Sequence, residues 1–503
     1  MPSIPTSSKQ VSSKQGAHFA TIFIIACQAL FFIPIAFQRL IARDEGFYVL
    51  ASKLVMEGKM LYAGFFYPQM PLLPYVYGSW MEVLGYSWIA ARLLSASFSI
   101  ILGTLLFKYC QKCFGMVFGL VAVVLFCSSS LVYPWYTTVQ TYSLSSLLLF
   151  VAFFFATSIS PVRRKTTLLL AGVAFGLAVD TRLFFIGVFP FFPLYFLTTA
   201  QARGSAWRDN LCFLLGMILA CTPNIYFMLA NFDNYFFNNL GYHLVRSGQS
   251  AEAELQHKFK VLRVLLAIDE SRKFHGFQFA LLFYLSVAYA VLCSIKRRKV
   301  APAVFIAALL CALNFLPNPA YVQYFCTTIP FLVVAVMAFA SQVWEALPPP
   351  EDGPRKLAGL KKRANYIVCA SLLFTGYIWS TPLDIHKYTL SGQGVIGIGK
   401  EENAADWRVS RIAEVTKKLD QHAKPGEEVL TWWPGYLLGS HATSFKKLEN
   451  HFGLLAASRL DEAQRERFKV MTKKQRLQLI KEGKAQVLLL GNHLIKKRMK
   501  SAL

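Results

Sequence analysis

Arg43-Asp44-Glu45-Gly46-Phe47-Tyr48 follows directly on an apolar run from His18 to Leu40. A bilayer crossing takes about 20 apolar residues, and this run has them. The two adjacent carboxylates therefore stand at a membrane boundary. Unpaired charge is costly there and tends to be kept for function. From Tyr48 to Leu84 the chain is aromatic and amphipathic, too polar for a span and too apolar for an ordinary loop. Tyr67-Pro68-Gln69-Met70-Pro71-Leu72-Leu73-Pro74-Tyr75 lies in its middle. An anchoring helix, a carboxylate pair and a Pro-broken first loop together set an acid or base just above the membrane.

The whole composition agrees with a membrane setting. The 503 residues are 55% hydrophobic and 15% aromatic, with a mean hydropathy of +0.42. An ordinary soluble chain is not this apolar over this length, so the fold class expected is a polytopic α-helical membrane protein. The net charge of +25 sits in short basic clusters between apolar runs and in a basic C-terminal region. That placement fits membrane topology better than a nucleic-acid partner, and none is expected. Of the ten cysteines, eight lie in apolar runs without disulfide spacing. Cys110-Gln111-Lys112-Cys113 is a lone pair at a span end, read as two small apolar residues.

About eleven spans are expected, over residues 18–40, 88–108, 114–133, 139–158, 167–180, 183–199, 210–230, 277–295, 300–316, 324–344 and 365–383. Residues 1–17 are expected to be a disordered cytoplasmic tail. With that tail inside, the clusters at 108–112, 163–165, 203–208, 296–299 and 355–363 all fall on the cytoplasmic side, as the positive-inside rule requires. The first outer loop, 41–87, then faces outside, within a membrane domain of residues 18–383. Residues 384–503 have the hydropathy of a soluble domain. Helical periodicity over 404–422, a turn at Lys424-Pro425-Gly426, and apolar strands at 429–433 and 486–490 predict a small extracytoplasmic α/β domain.

Asp44-Glu45 at the end of the first span, Tyr48, Ala51, Gly58, Tyr62 and the Pro-rich segment resemble the multi-span, lipid-dependent glycosyltransferases. More narrowly they resemble the protein O-mannosyltransferase and lipid A aminoarabinose transferase group. The likeness extends through Arg92, Thr181-Arg182, and Gln323-Tyr324 with Pro330. It implies a sugar carried on a polyprenyl phosphate and transferred outside the cytoplasm, with inversion at the anomeric carbon. The acceptor is a lipid, a glycan or a protein, and membrane lipids surround the enzyme. The resemblance makes Asp44 the general base. A carboxylate within reach of the acceptor hydroxyl takes its proton as it attacks, typically worth about 10²–10⁴ in rate. Glu45 joins it as a candidate, either catalytic or orienting the loop.

The leaving group is a lipid phosphate and needs fixed positive charge, for which arginine's fork is suited. The outward candidates are Arg182, Arg246, His243, Lys258, Lys260 and Arg263, with the Tyr324 hydroxyl beside them. Two readings stand for Arg182, a phosphate contact or an ion pair with Asp180. Two stand for Tyr324, a phosphate donor or an interfacial belt aromatic. Arg92 is expected to snorkel to the interface. Tyr67, Gln69, Pro71 and Gln140 are the substrate-loop candidates. Relatives often carry a charged residue before the proline at Pro71, where this chain has Gln69 and Met70. Many also carry a second acid where this chain has Val139-Gln140-Thr141-Tyr142. Without that second carboxylate a metal-assisted scheme loses its ligand, so no metal and no cofactor are predicted. The competing readings are a transporter or flippase of lipid-linked glycans and a non-catalytic relative.

Overall fold

The structure is a computed structural model that describes residues 7–158, 163–199, 203–246, 250–269, 276–348, 356–395, 398 and 403–489. Helix α1, Ser7–Gln38, contains the first apolar run. The expected tail is therefore helical from Ser7 onward, and residues 1–6 lie outside the described residues. Two short helices, α2 (Glu45–Met56) and α3 (Leu72–Leu84), fill the first outer loop. Helix α4 (Trp88–Phe114) starts where the Ser87 side chain accepts from the Ala90 amide, satisfying one of the free donors at a helix start. Then follow α5 (Met116–Cys127), α6 (Tyr133–Tyr136), α7 (Thr141–Thr157), α8 (Arg164–Thr181), α9 (Phe191–Thr199) and α10 (Arg203–Ala230).

Short helices α11 (Phe232–Phe236) and α12 (Tyr242–Val245) flank a π-helical turn, and α13 (Ala251–Leu265) completes that loop. The remaining apolar helices are α14 (Phe277–Ile295), α15 (Pro302–Leu313), α16 (Ile329–Ala346) and α17 (Lys356–Trp379), followed by α18 (Thr381–Thr389). A 3-10 turn, Val322–Thr328, leads into α16. Each expected run falls on a helix. Among the described residues six stretches are long and apolar enough to cross a membrane: His18–Gln38, Trp88–Phe114, Ser205–Ala230, Phe277–Ile295, Val322–Ala346 and Leu360–Thr389. Met116–Cys127, Thr141–Thr157, Leu183–Thr199 and Pro302–Leu313 are apolar but shorter. Leu30, Leu229 and Leu372 lie on exposed faces of α1, α10 and α17. Faces this apolar are a liability in water and an asset in lipid.

Helices α8 and α10 meet backbone to backbone. A Cβ added at Gly172 would run into the Phe213 carbonyl, and one at Gly216 into the Leu169 carbonyl. At Gly176 it would stand 2.7 Å from the Ala220 Cβ. Gly172 and Gly176 are four residues apart, the small-residue spacing that lets membrane helices approach closely.

After α18 come α19 (Val409–His422) and three short strands, β1 (Glu428–Thr431), β2 (Thr443–Ser444) and β3 (Val487–Leu489). They form a parallel sheet in the order β2-β1-β3. Its largest apolar cluster is not private. Ile412, Leu419, Val429, Trp433 and Leu437 share one core with Phe47, Leu50, Leu54 and Tyr77 of α2 and α3. Lys53 of α2 donates to the carbonyl of Ser440 at 2.5 Å.

Candidate active site

The site is built around the turn between α1 and α2, and Glu45 anchors it. Its carboxylate is fully buried and paired with the equally buried Arg92 of α4, at 2.6 and 2.9 Å. The same oxygens accept from the Ala42 amide at 2.7 Å and the Val139 amide at 3.0 Å. Arg92 in turn donates to the Ala36 carbonyl at 3.0 Å. A carboxylate with this many donors has no lone pair left for a substrate proton. Glu45 thus anchors the turn, which is the orienting one of its two expected readings. Arg92, expected to snorkel, is instead its buried counter-ion. Local hydropathy carries no sign of such a partner 47 residues away.

Asp44 differs. It is half-buried, with no side-chain capping bond to α2. Burial pushes its carboxyl up to about 6, while Arg43 and Arg246 act to lower it and Glu45 to raise it. Tyr48, one turn along α2, feels the charges of Asp44 and Arg182, lies near Tyr324 and hydrogen-bonds to Thr141.

Arg182 follows the last turn of α8 in an extended conformation, φ −149° and ψ 103°. That residue turns the chain into the 3-10 turn Leu183–Val188. Its guanidinium lies between the rings of Tyr142 and Tyr324, 5.0 Å from each centroid. It is 6% exposed, and among the described residues it has no carboxylate partner, while its Nη1 has no hydrogen-bond partner. The ion pair with Asp180 does not form, because Asp180 accepts from Asn224 at 2.5 Å instead. Arg246 donates to the Asn318 carbonyl at 2.8 Å and hydrogen-bonds to Tyr324. Tyr242 feels the charges of Arg246 and Asp44 together and lies near Tyr324.

His243 needs correction as a cation. Burial and neighbouring Arg246 push it down to about 4, so it is neutral at pH 7. It bonds to the Pro68 backbone, and its buried Nδ1 has no partner among the described residues. Lys258, Lys260 and Arg263 lie on α13, where Arg263 is within 3.9 Å of Asp269. None of the three interacts with Asp44 or Arg182 among the described residues.

The substrate-loop candidates divide. Tyr67 is fully buried, its amide donates to Asn238 at 2.8 Å, and its hydroxyl is unpartnered among the described residues. The Gln69 carbonyl accepts from the Tyr62 hydroxyl at 2.9 Å, and Pro71 caps α3, so both shape the loop backbone. Gln140 caps α7 beside the Val139 amide that Glu45 holds; its buried Oε1 is unpartnered among the described residues. The sequence reading missed Tyr142, Tyr242 and Tyr321 as site residues. Their only signal was a density of aromatics near the span ends. Among the described residues no group of three His, Cys, Asp or Glu side chains is arranged to hold a metal.

Asp44, Tyr48, Tyr142, Arg182, Tyr242, Arg246 and Tyr324 therefore form one cluster of a carboxylate, two arginines and phenol groups. Residues 68–227, under half of the chain, match the family model for dolichyl-phosphate-mannose-protein mannosyltransferase. ArnT from Cupriavidus metallidurans in the apo state superposes at a TM-score of 0.61 and 13% identity, over 92% of this chain and 91% of that one. The same protein bound to undecaprenyl phosphate superposes at 0.58 and 14% identity, over 91% and 90%. The chain shares its fold with ArnT, and part of it matches the mannosyltransferase family model. Its long apolar helices make it an integral membrane protein. No curated protein sequence matches it.

Proposed function

We propose that this protein is a glycosyltransferase that moves a sugar from a polyprenyl-phosphate donor to a hydroxyl or amine of an extracytoplasmic acceptor, with inversion. The observation that carries the reading is Arg182, a buried guanidinium held between two phenol rings with no carboxylate partner among the described residues. Burying a cation without a counter-charge is expensive, and a site that does so is prepared for an anion. Arg246 and the Tyr324 hydroxyl add donors on the same side, and the neutral His243 adds a hydrogen-bonding group rather than charge. An apolar cavity of about 240 Å³, lined by Leu262, Leu265, Phe283, Phe315 and Phe325, starts one residue from Tyr324. Its chemistry suits a prenyl chain. The family match and the fold support a lipid-linked donor.

The reaction is then a single displacement. The acceptor oxygen forms its bond to C1 as the bond from C1 to the phosphate oxygen breaks, and that electron pair leaves on the phosphate. Arg182 and Arg246 stabilise the charge that develops there. The acceptor proton passes to the Asp44 carboxylate. With its carboxyl near 6, Asp44 is mostly ionised at neutral pH yet more basic than an ordinary aspartate, the balance a general base needs. Attack from the face opposite the leaving group inverts C1.

The test is transfer of labelled sugar from polyprenyl phosphate in membranes, normalised to folded protein. Asp44→Asn should lower turnover by about 10²–10⁴ with donor binding retained. Arg182→Ala should weaken donor use, and Arg182→Lys should restore it only in part because an ammonium lacks the fork. Transport or a non-catalytic role predicts no transfer in the wild type and no dependence on Asp44.

A further inference from the structure

The turn that carries Asp44 is held from the far end of the chain. The Leu40 amide donates to the Tyr388 carbonyl at 3.0 Å, and the Ile41 amide to the Trp407 carbonyl at 2.8 Å. The Arg43 carbonyl, which belongs to the peptide leading into Asp44, accepts from the indole Nε1 of Trp433 at 2.7 Å. That indole is itself immobilised. It stacks on Trp88 at 5.7 Å and 8° and meets Trp407 edge-on at 5.2 Å and 72°. Tyr436 stands against it at 5.0 Å and 85°.

Trp88 opens α4, one turn before Arg92, the counter-ion of Glu45. The peptides on both sides of Asp44 are thus gripped, one through Glu45 from the membrane helices and one through the Arg43 carbonyl from the C-terminal region. Gly46 makes the second grip possible. A Cβ there would stand 2.6 Å from Cε2 and Nε1 of Trp433 and 2.9 Å from the Gly435 amide.

We propose that Trp433 is a positioning residue for Asp44, fixing the Arg43–Asp44 peptide through its N–H and closing water out with its ring, so that the C-terminal region completes the active site. The proposal rests on the reading of Asp44 as general base. Arg43, Glu45 and Arg246 face Asp44 as charges, and Tyr48, Tyr242 and Tyr321 feel its charge. From the C-terminal side His451 faces Arg43 and is held well below its ordinary value by burial and by that arginine, so it is neutral. Trp433 brings no charge. On this proposal its effect on Asp44 runs through desolvation, the leading cause of the raised value.

The experiment compares pH–rate profiles of labelled-sugar transfer in membranes for wild type, Asp44→Asn, Trp433→Phe and Gly46→Ala. Trp433→Phe keeps a stacking ring and loses the donor. Its kcat should fall about tenfold, the scale of one hydrogen bond to a positioned group. Donor KM should hold, and the acid limb should move below the wild-type value near 6 as water reaches the carboxylate. Gly46→Ala displaces the same indole from the other side and should give the same kcat loss and the same shift. The double variant should be no worse than either single one, because both remove one contact. Trp432→Phe, whose ring packs on Arg476 away from the turn, serves as the unaffected control.

An inactive Asp44→Asn with a wild-type profile in both Trp433→Phe and Gly46→Ala overturns the positioning role and leaves the general base standing. An active Asp44→Asn overturns both. If Trp433→Phe does not accumulate, Gly46→Ala alone decides, and an unmoved acid limb there sinks the proposal.

Discussion

Burial holds the Asp44 carboxyl near 6 in the folded chain, against 3.8 for an ordinary aspartate. Between those values the folded state binds a proton that the unfolded state gives up, so stability falls as pH rises through the window. Asp44→Asn carries no charge to desolvate. It should melt higher than wild type at pH 7–8, and the gap should close by about pH 4. Thermal unfolding in detergent at both pH values checks this, and an equal or lower melting point at pH 8 contradicts the raised carboxyl. On the proposed reading Asp44 is a base kept at a cost in stability, as active sites commonly do. Glu45→Gln behaves in the opposite way. Removing one partner of a buried pair strands Arg92, at about 3–5 kcal/mol. The variant should appear as lost folded protein, read by size-exclusion profile, before any loss of specific turnover. The dipeptide was legible in the sequence because two adjacent acids at a span end are rare. The resemblance points to Asp44 as the base but leaves open whether Glu45 is catalytic or orienting. That division depends on Arg92 and on the Val139 amide, which local pattern does not connect to residue 45.

At the scale of elements, hydropathy located the helices because apolar runs must become helices in lipid. Their packing is less legible, since lipid and protein neighbours read alike along a run. The α8–α10 seam is an exception that was open to reading, as Gly172 and Gly176 stand at the small-residue spacing. Gly172→Val should push a branched side chain into the Phe213 carbonyl. Overpacking of this kind typically costs about 1–3 kcal/mol, and more where backbone cannot yield. Because α8 ends at Thr181 and hands the chain to Arg182, the lesion should lower donor affinity as well as folded yield. Donor KM in the surviving fraction measures that second effect; an unchanged KM would show that α8 positions Arg182 without help from α10. Arg182 itself was ambiguous in the sequence because Asp180 stands two residues away. The structure gives Asp180 to Asn224 and Arg182 to two aromatic rings contributed by distant segments.

For the whole molecule, the alternating basic loops predict that the C-terminal region lies outside. Ser410 is exposed at the start of α19, whereas Ser391 is buried and unsuitable as a probe. Cys113 is exposed at the other end of α4 and serves as an internal reference. In intact cells an impermeant thiol reagent should label Ser410→Cys and leave Cys113 untouched until the membrane is opened. The reverse pattern would invert the topology and move the site to the cytoplasm. The expected strands at the C-terminal end are there, as β1 and β3. What alternation of helix and strand did not reveal is that their apolar face belongs to the same core as α2 and α3.

The bonds from Tyr388, Trp407 and Trp433 to residues 40–43 also set an order of events during synthesis. The turn bearing Asp44 leaves the ribosome early, and its last backbone bonds wait for residues made some 350–390 positions later. Until then a nascent chain carries Arg182 and Arg246 but lacks the bonds that fix the peptide leading into Asp44. On the proposed function, donor lipid that meets such an unfinished chain is spent slowly, and full turnover waits until nearly the whole protein has been translated and its tail has docked.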